Sequence, residues 1–135
     1  MTEAAKRVWE QGFAPLLSTE SLEALRVALD EDDERILQNG TTDPPPLRSK
    51  LGARCTHGCP VAYCGMADGL QTVGEVEEFF TAVCLGVDNA LGEPAAARYF
   101  LNWVDETPRV EMREELAALV RRTLAERLAT EEAAA

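Results

Sequence analysis

Residues 107–128 read TPRVEMREELAALVRRTLAERL, and this stretch decides the fold class. Met112, Leu116, Val120, Leu124 and Leu128 recur every four residues and are joined by Leu119, the spacing of one helix face and not of a strand. Thr107 as cap and Pro108 at the first helical position mark the start. Arg121, Arg122 and Arg127 lie toward the far end, where positive charge complements the helix dipole. The tail at 130–135 is expected to fray.

The same pattern extends toward the N-terminus. Pro94 is placed to open a helix that runs to about Asp105. Ala96, Ala97, Tyr99, Phe100, Leu101, Trp103 and Val104 cover nearly its whole circumference, leaving Arg98 and Asn102 as a polar sliver. A helix apolar almost all round must be buried on most sides, as a central element or a subunit interface. A homo-oligomer would therefore form through the 94–104 or the 108–128 helix. Upstream, Thr72-Val73-Gly74-Glu75 has the spacing of a capping box. It opens a helix carrying Val73, Val76, Phe80, Val83, Val87 and Leu91 on one stripe, with Gly92 as its stop. Cys84 falls on the edge of that stripe, at least half buried.

At the N-terminus a first helix is expected over 3–11, with Thr2 as cap, Gly12 as stop, and Trp9 and Phe13 as core anchors. Ser18 or Thr19 opens a second, expected to run to about Gln38 on Leu22, Leu25, Leu29, Ile36 and Leu37. Inside it, Asp30 to Glu34 places five carboxylates in a row, which reads as a solvated face or a partner surface. Asp43-Pro44-Pro45-Pro46 then breaks the pattern as a stiff connector. Arg48, Lys50 and Arg54 follow as a local positive patch.

These elements predict an all-α single domain, 1–135, of about five helices with an irregular Pro-rich, Cys-containing crossover at 41–70. Composition agrees. Alanine supplies 20 residues, whereas ten valines and one isoleucine leave little material for a sheet. The net charge of −11 argues against nucleic acid and against anionic membrane surfaces as direct partners. Met1 to Arg7 is not followed by the apolar core of a secretory signal, so the cytoplasm is the expected compartment. A stable disulfide framework is not expected there.

The chemistry-bearing stretch is Cys55-Thr56-His57-Gly58-Cys59-Pro60-Val61-Ala62-Tyr63-Cys64-Gly65, with three of four cysteines and the sole histidine. Four readings stand side by side. Cys55, Cys59, Cys64 and Cys84 could hold a structural zinc, with His57 as an alternative ligand, although the spacing lacks two separated C-x2-C knuckles. The same thiols could hold an iron–sulfur cluster, in a spacing that matches neither familiar ferredoxin pattern. Without metal, Pro60 suits the start of a helical turn from Val61 to Cys64, ended by Gly65. Cys59 would then be its N-cap, where backbone N–H groups and nearby cations favour a thiolate. Alternatively, all are small, soft core residues.

The leading functional expectation is a non-enzymatic cytoplasmic interaction or regulatory module with a protein partner, of basic character if the acidic surface is used, and with room for a structural zinc. A thiol or iron–sulfur redox protein and an acidic inhibitor covering a basic, nucleic-acid-binding surface are the alternatives.

Overall fold

Side-chain caps fix where the helices begin. Thr2 Oγ1 accepts from Ala5 N and opens α1, Glu3–Val8. Ser18 Oγ accepts from Ser21 N at 3.0 Å and opens α2, Thr19–Asp30. Thr72 and Glu75 form the expected capping box at the start of α4, Val73–Leu91, after α3, Pro60–Ala67. Gly92 stops α4 with a left-handed φ of 64°. Helices α5, Ala96–Glu106, and α6, Arg109–Ala134, complete the chain.

The computed structural model describes residues 1–42 and 51–135. Among these it is all-α, with isolated bridges in place of strands. Pro44 to Pro46, with Arg48 and Lys50 of the expected positive patch, lie outside the described residues. Among the described residues, no helix is long and apolar enough to cross a membrane.

One core joins the elements, and aromatic rings form its centre. Trp9 and Phe13 are fully buried and meet Phe100 of α5 at centroid distances of 5.8 and 5.1 Å. Trp9 Nε1 donates to Thr123 Oγ1 of α6, so its polar edge is satisfied. Trp9–Phe13 is a π-helical turn and Ala14–Leu16 a 3₁₀ turn, so Gly12 is not the stop the sequence suggests. A Cβ on Gly12 would lie 2.7 Å from Val87 Cγ1, so the glycine is needed for the close approach of α4.

Several boundaries differ from expectation. Helix α5 starts at Ala96 rather than Pro94, and its first-turn Ala97 N–H is taken by Asp88 of α4. It is amphipathic rather than apolar all round: Phe100, Leu101 and Val104 are buried, while Arg98, Tyr99 and Asn102 are exposed. Tyr99 accounts for most of the difference, turning outward with its hydroxyl beside Thr2 Oγ1. Thr107 does not cap α6. Its hydroxyl donates back to Trp103 O at the end of α5. Helix α6 runs on to Ala134, through the tail expected to fray, with Thr130 Oγ1 bonded to Glu126 O.

The largest correction concerns α2, which ends at Asp30 and not near Gln38. Four further carboxylates, Glu31 to Glu34, follow in the next four residues, at the negative end of the helix dipole, where they are unfavourable. Two guanidinium groups of α6 resolve both problems. Arg113 donates to Leu29 O and Asp30 O at the helix end. Arg109 donates to Asp32 Oδ1, Asp33 O and Ile36 O at 2.8 to 3.0 Å. Asp30 pairs with Arg121 and Arg26. Asp32 takes a left-handed φ of 50°, and the chain turns out of the helix. The run stays largely exposed, as the reading of a solvated face expects, but Asp30 and Asp32 also clasp α2 to α6 through Arg121 and Arg109.

Beyond the clasp, residues 35–42 run back over the other elements. Gln38 Nε2 donates to Val104 O and Thr107 O, both at 2.7 Å, and caps the end of α5. Asn39 N donates to Asp105 Oδ1.

Replacing Arg109 by alanine frees two backbone carbonyls and one carboxylate together. We expect Arg109→Ala to lower unfolding free energy by about 1–3 kcal/mol in urea titrations. Arg122→Ala, which removes only exposed pairs with Glu10 and Glu126, should cost about 0.5 kcal/mol or less. Equal losses would contradict the clasp.

Candidate functional site

The thiol-rich stretch is held from both sides by backbone hydrogen bonds. Upstream, Cys55 N donates to Gln71 O at 2.7 Å, Val73 N to Ala53 O and Gly74 N to Leu51 O. These bonds tie 51–55 to the entry of α4. Downstream, Gly58 N donates to Arg35 O and Leu37 N to Gly58 O, both at 2.8 Å, and Cys59 N donates to Thr41 O. Gly58 therefore bridges Ile36 on one side and Thr42 on the other. A Cβ there would lie 2.9 Å from Ala62 Cβ and 3.1 Å from Tyr63 N. Only glycine fits this junction without displacing α3.

The next residues follow the expected cap. Cys59 is the N-cap of α3, its Sγ accepting from Ala62 N at 3.5 Å, with Pro60 in the first turn. Gly65 does not end this helix, which continues to Ala67 inside the range read as irregular. A Cβ on Gly65 would meet Phe79 Cδ1 at 2.6 Å, so the residue serves α3–α4 packing.

The cap does not activate the thiol. Burial pushes Cys59 up to about 12, outweighing the opposing backbone N–H groups of Ala62 and Val61. Cys64 is pushed up to about 12 by burial, and its Sγ is directed at Ser21 O of α2. Cys84, half-buried on α4 as expected, is pushed up to about 11 by burial, against the opposing charge of Arg98. Cys55 is buried and its Sγ donates to His57 O at 3.3 Å. His57 Nδ1 lies 2.8 Å from Thr56 Oγ1.

All four cysteines are free of disulfides. Among the described residues, no three Cys, His, Asp or Glu side chains gather in a group that could hold a metal ion. The structure therefore shows no metal site at Cys55, Cys59, Cys64 and Cys84, with or without His57. Cys55, Cys59 and Cys64 belong to the buried core, with Cys84 packed partly buried against it.

What the stretch does build is a cavity of about 410 Å³ at its outer side. Tyr63 and Cys55 form its buried end, Met66 and Leu70 an apolar wall, and Arg35, Arg54 and Gln71 its exposed rim. Arg35 is held by Asp33, with Nε donating to Oδ1 and Oδ2 at 3.1 Å and Nη2 to Oδ2 at 2.6 Å. Its guanidinium lies 5.6 Å from the centroid of the Tyr63 ring. Hydrogen bonds from the Arg35 side chain and backbone hold the Asp33 carboxyl down at about 2. Asp68, the acid nearest in sequence to the positive patch among the described residues, instead accepts from Ser18 Oγ at the start of α2. Sequence reasoning missed Arg35 as a cavity residue. Its signal was a lone cation directly after the acidic run.

Comparisons of this chain with protein-family models, with curated proteins and with solved structures find no match.

Two outcomes are expected. Gly58→Ala should destabilise the protein by about 1–3 kcal/mol through the clash with Ala62 and Tyr63, read as a fall in Tm. Iodoacetamide at pH 8 should label Cys84 well before Cys59 or Cys64, which should react only in denaturant. Because folding raises these three thiols, their contribution to stability is complete below the unfolded value of about 8.5. It is lost as pH rises from there toward 11 to 12. An alkylation midpoint for native Cys59 near 8.5 would refute this assignment.

Proposed function

We propose that the protein is a non-enzymatic cytoplasmic interaction module that docks a basic protein partner on the outer face of α4. One observation carries this reading. Leu85 is 60 % exposed and Leu16, on the neighbouring 3₁₀ turn, is 45 % exposed. The two flank Gly86, and a Cβ at Gly86 would meet Leu16 Cδ1 at 2.9 Å. The missing side chain lets Leu16 approach α4 at Gly86, the residue after exposed Leu85, with Ala82 exposed one turn earlier. Adjacent exposed leucines are characteristic of a binding ledge more than of a solvated helix. Exposed Glu78 stands on the same helix, and the net charge of −11 favours a cationic counterpart.

The remaining chemistry-bearing groups support binding over catalysis. Cys59 and Cys64 are buried and protonated, which disfavours a nucleophilic role. The acidic run suggested as a decoy for a basic surface is largely occupied: Asp30, Asp32 and Asp33 pair with Arg121, Arg109 and Arg35. Free cysteines suit a reducing compartment.

Leu16→Asp/Leu85→Asp should fold normally by circular dichroism, since both side chains are exposed. Affinity purification from cells that express the protein, quantified by mass spectrometry, should recover a basic protein with the unsubstituted chain and lose it with the double variant. Identical recoveries from both, or self-association that the variant abolishes, would overturn the proposal.

A further inference from the structure

The cavity beside α3 carries an inference independent of the α4 ledge. The chain has 24 carboxylates against 13 lysines and arginines, so a surface hollow should on average be acidic. This one is the reverse. Its rim presents Arg35 and Arg54, and no carboxylate is among its described lining residues. Among the described residues Arg54 makes no ion pair, and Arg35 Nη1 makes no hydrogen bond. Arg35 is nevertheless positioned in advance, held at Nε and Nη2 by Asp33 and seated against Tyr63. Binding through Nη1 would therefore need little further ordering of that side chain.

Arg54 is fixed at its backbone. It bridges Thr72 across the pair of segments that tie 51–55 to the start of α4. Its guanidinium is exposed and leaves its charge open toward the rim. Gln71 adds an amide at the same edge, and Met66 and Leu70 line the wall toward Tyr63. A volume of about 410 Å³ is within the range of small-molecule sites, roughly 300–1,000 Å³.

We propose that this cavity binds a small organic oxyanion, a carboxylate or phosphate monoester. Its charged head meets Arg54 and Arg35 Nη1, and its apolar body lies along Met66 and Leu70 toward Tyr63. The two guanidinium groups select the charge through charge-assisted hydrogen bonds, and the apolar wall selects an organic body over a bare inorganic ion.

The test uses the full chain and four probes: benzoate, phenyl phosphate, neutral benzamide and inorganic phosphate. Binding is followed by ¹H–¹⁵N chemical shifts of the Arg35 and Arg54 side-chain Nε–H and of backbone amides 66–71. Saturable shifts with benzoate or phenyl phosphate, at least about tenfold tighter than with benzamide or inorganic phosphate, are expected. Whichever of the two binds tighter identifies the head group. Arg54→Gln should weaken that probe about tenfold or more with the fold intact. No saturable shift up to about 10 mM, equal binding of benzamide, or equal binding of inorganic phosphate would overturn the proposal. An unchanged affinity in Arg54→Gln would overturn it as well. The charged-against-neutral comparison on the unsubstituted chain decides even if the variant fails to fold.

Discussion

The structure depends on how the negative end of α2 is neutralised. A helix C-terminus with unpaired carbonyls, followed by a run of carboxylates, accumulates negative charge that cannot remain unpaired at an interface. Arg109 and Arg113 of α6 answer both requirements at once. Guanidinium suits the task better than ammonium, because its planar fork lets one side chain engage carboxylate and carbonyl oxygens together. With α2 terminated at Asp30, the chain is available as an irregular strap over 31–42. That strap reaches the end of α5 through Gln38 and the thiol-rich stretch through Gly58. The cavity beside α3 exists because the strap leaves Arg35 beside Tyr63.

This explains which parts of the fold were legible in the sequence. Caps and stops are local chemistry, and Thr2, Ser18, the Thr72/Glu75 box and Gly92 all act where their neighbours imply. The row from Met112 to Val120 is buried as its spacing requires. Boundaries set by distant partners were not legible. The end of α2 is decided by arginines about 80 residues downstream, and the start of α5 by Asp88 on another helix. Two glycines expected as stops, Gly12 and Gly65, are instead points where backbone and side chains approach closely, as is Gly58. A sequence shows the absence of a side chain but not what fills the space.

The candidate site was half legible for the same reason. Cys59 as a cap before Pro60 follows from local spacing, and the structure keeps it. Whether that cap activates the sulfur depends on water, which periodicity does not report. Full burial outweighs the favourable N–H groups, as a desolvated thiolate loses more hydration than two backbone donors restore. Cys55, Cys59 and Cys64 are buried in the core beside α3, where a small, polarizable side chain packs well. The chemistry of the neighbourhood lies in the cations around it, of which Arg54 was visible in sequence and Arg35 was concealed beside the acidic run.

The ties between the first turns and the last helix have a consequence for synthesis. Trp9 Nε1 bonds to Thr123, and Arg127 donates to Ala14 O at 2.6 Å. Both contacts join residues more than 100 positions apart. A nascent chain emerging from the ribosome holds its N-terminal aromatic cluster without its polar partners until almost all of α6 has been translated. Docking of α6 then supplies the hydrogen-bond partner of Trp9 Nε1 and the guanidinium groups at the end of α2 together.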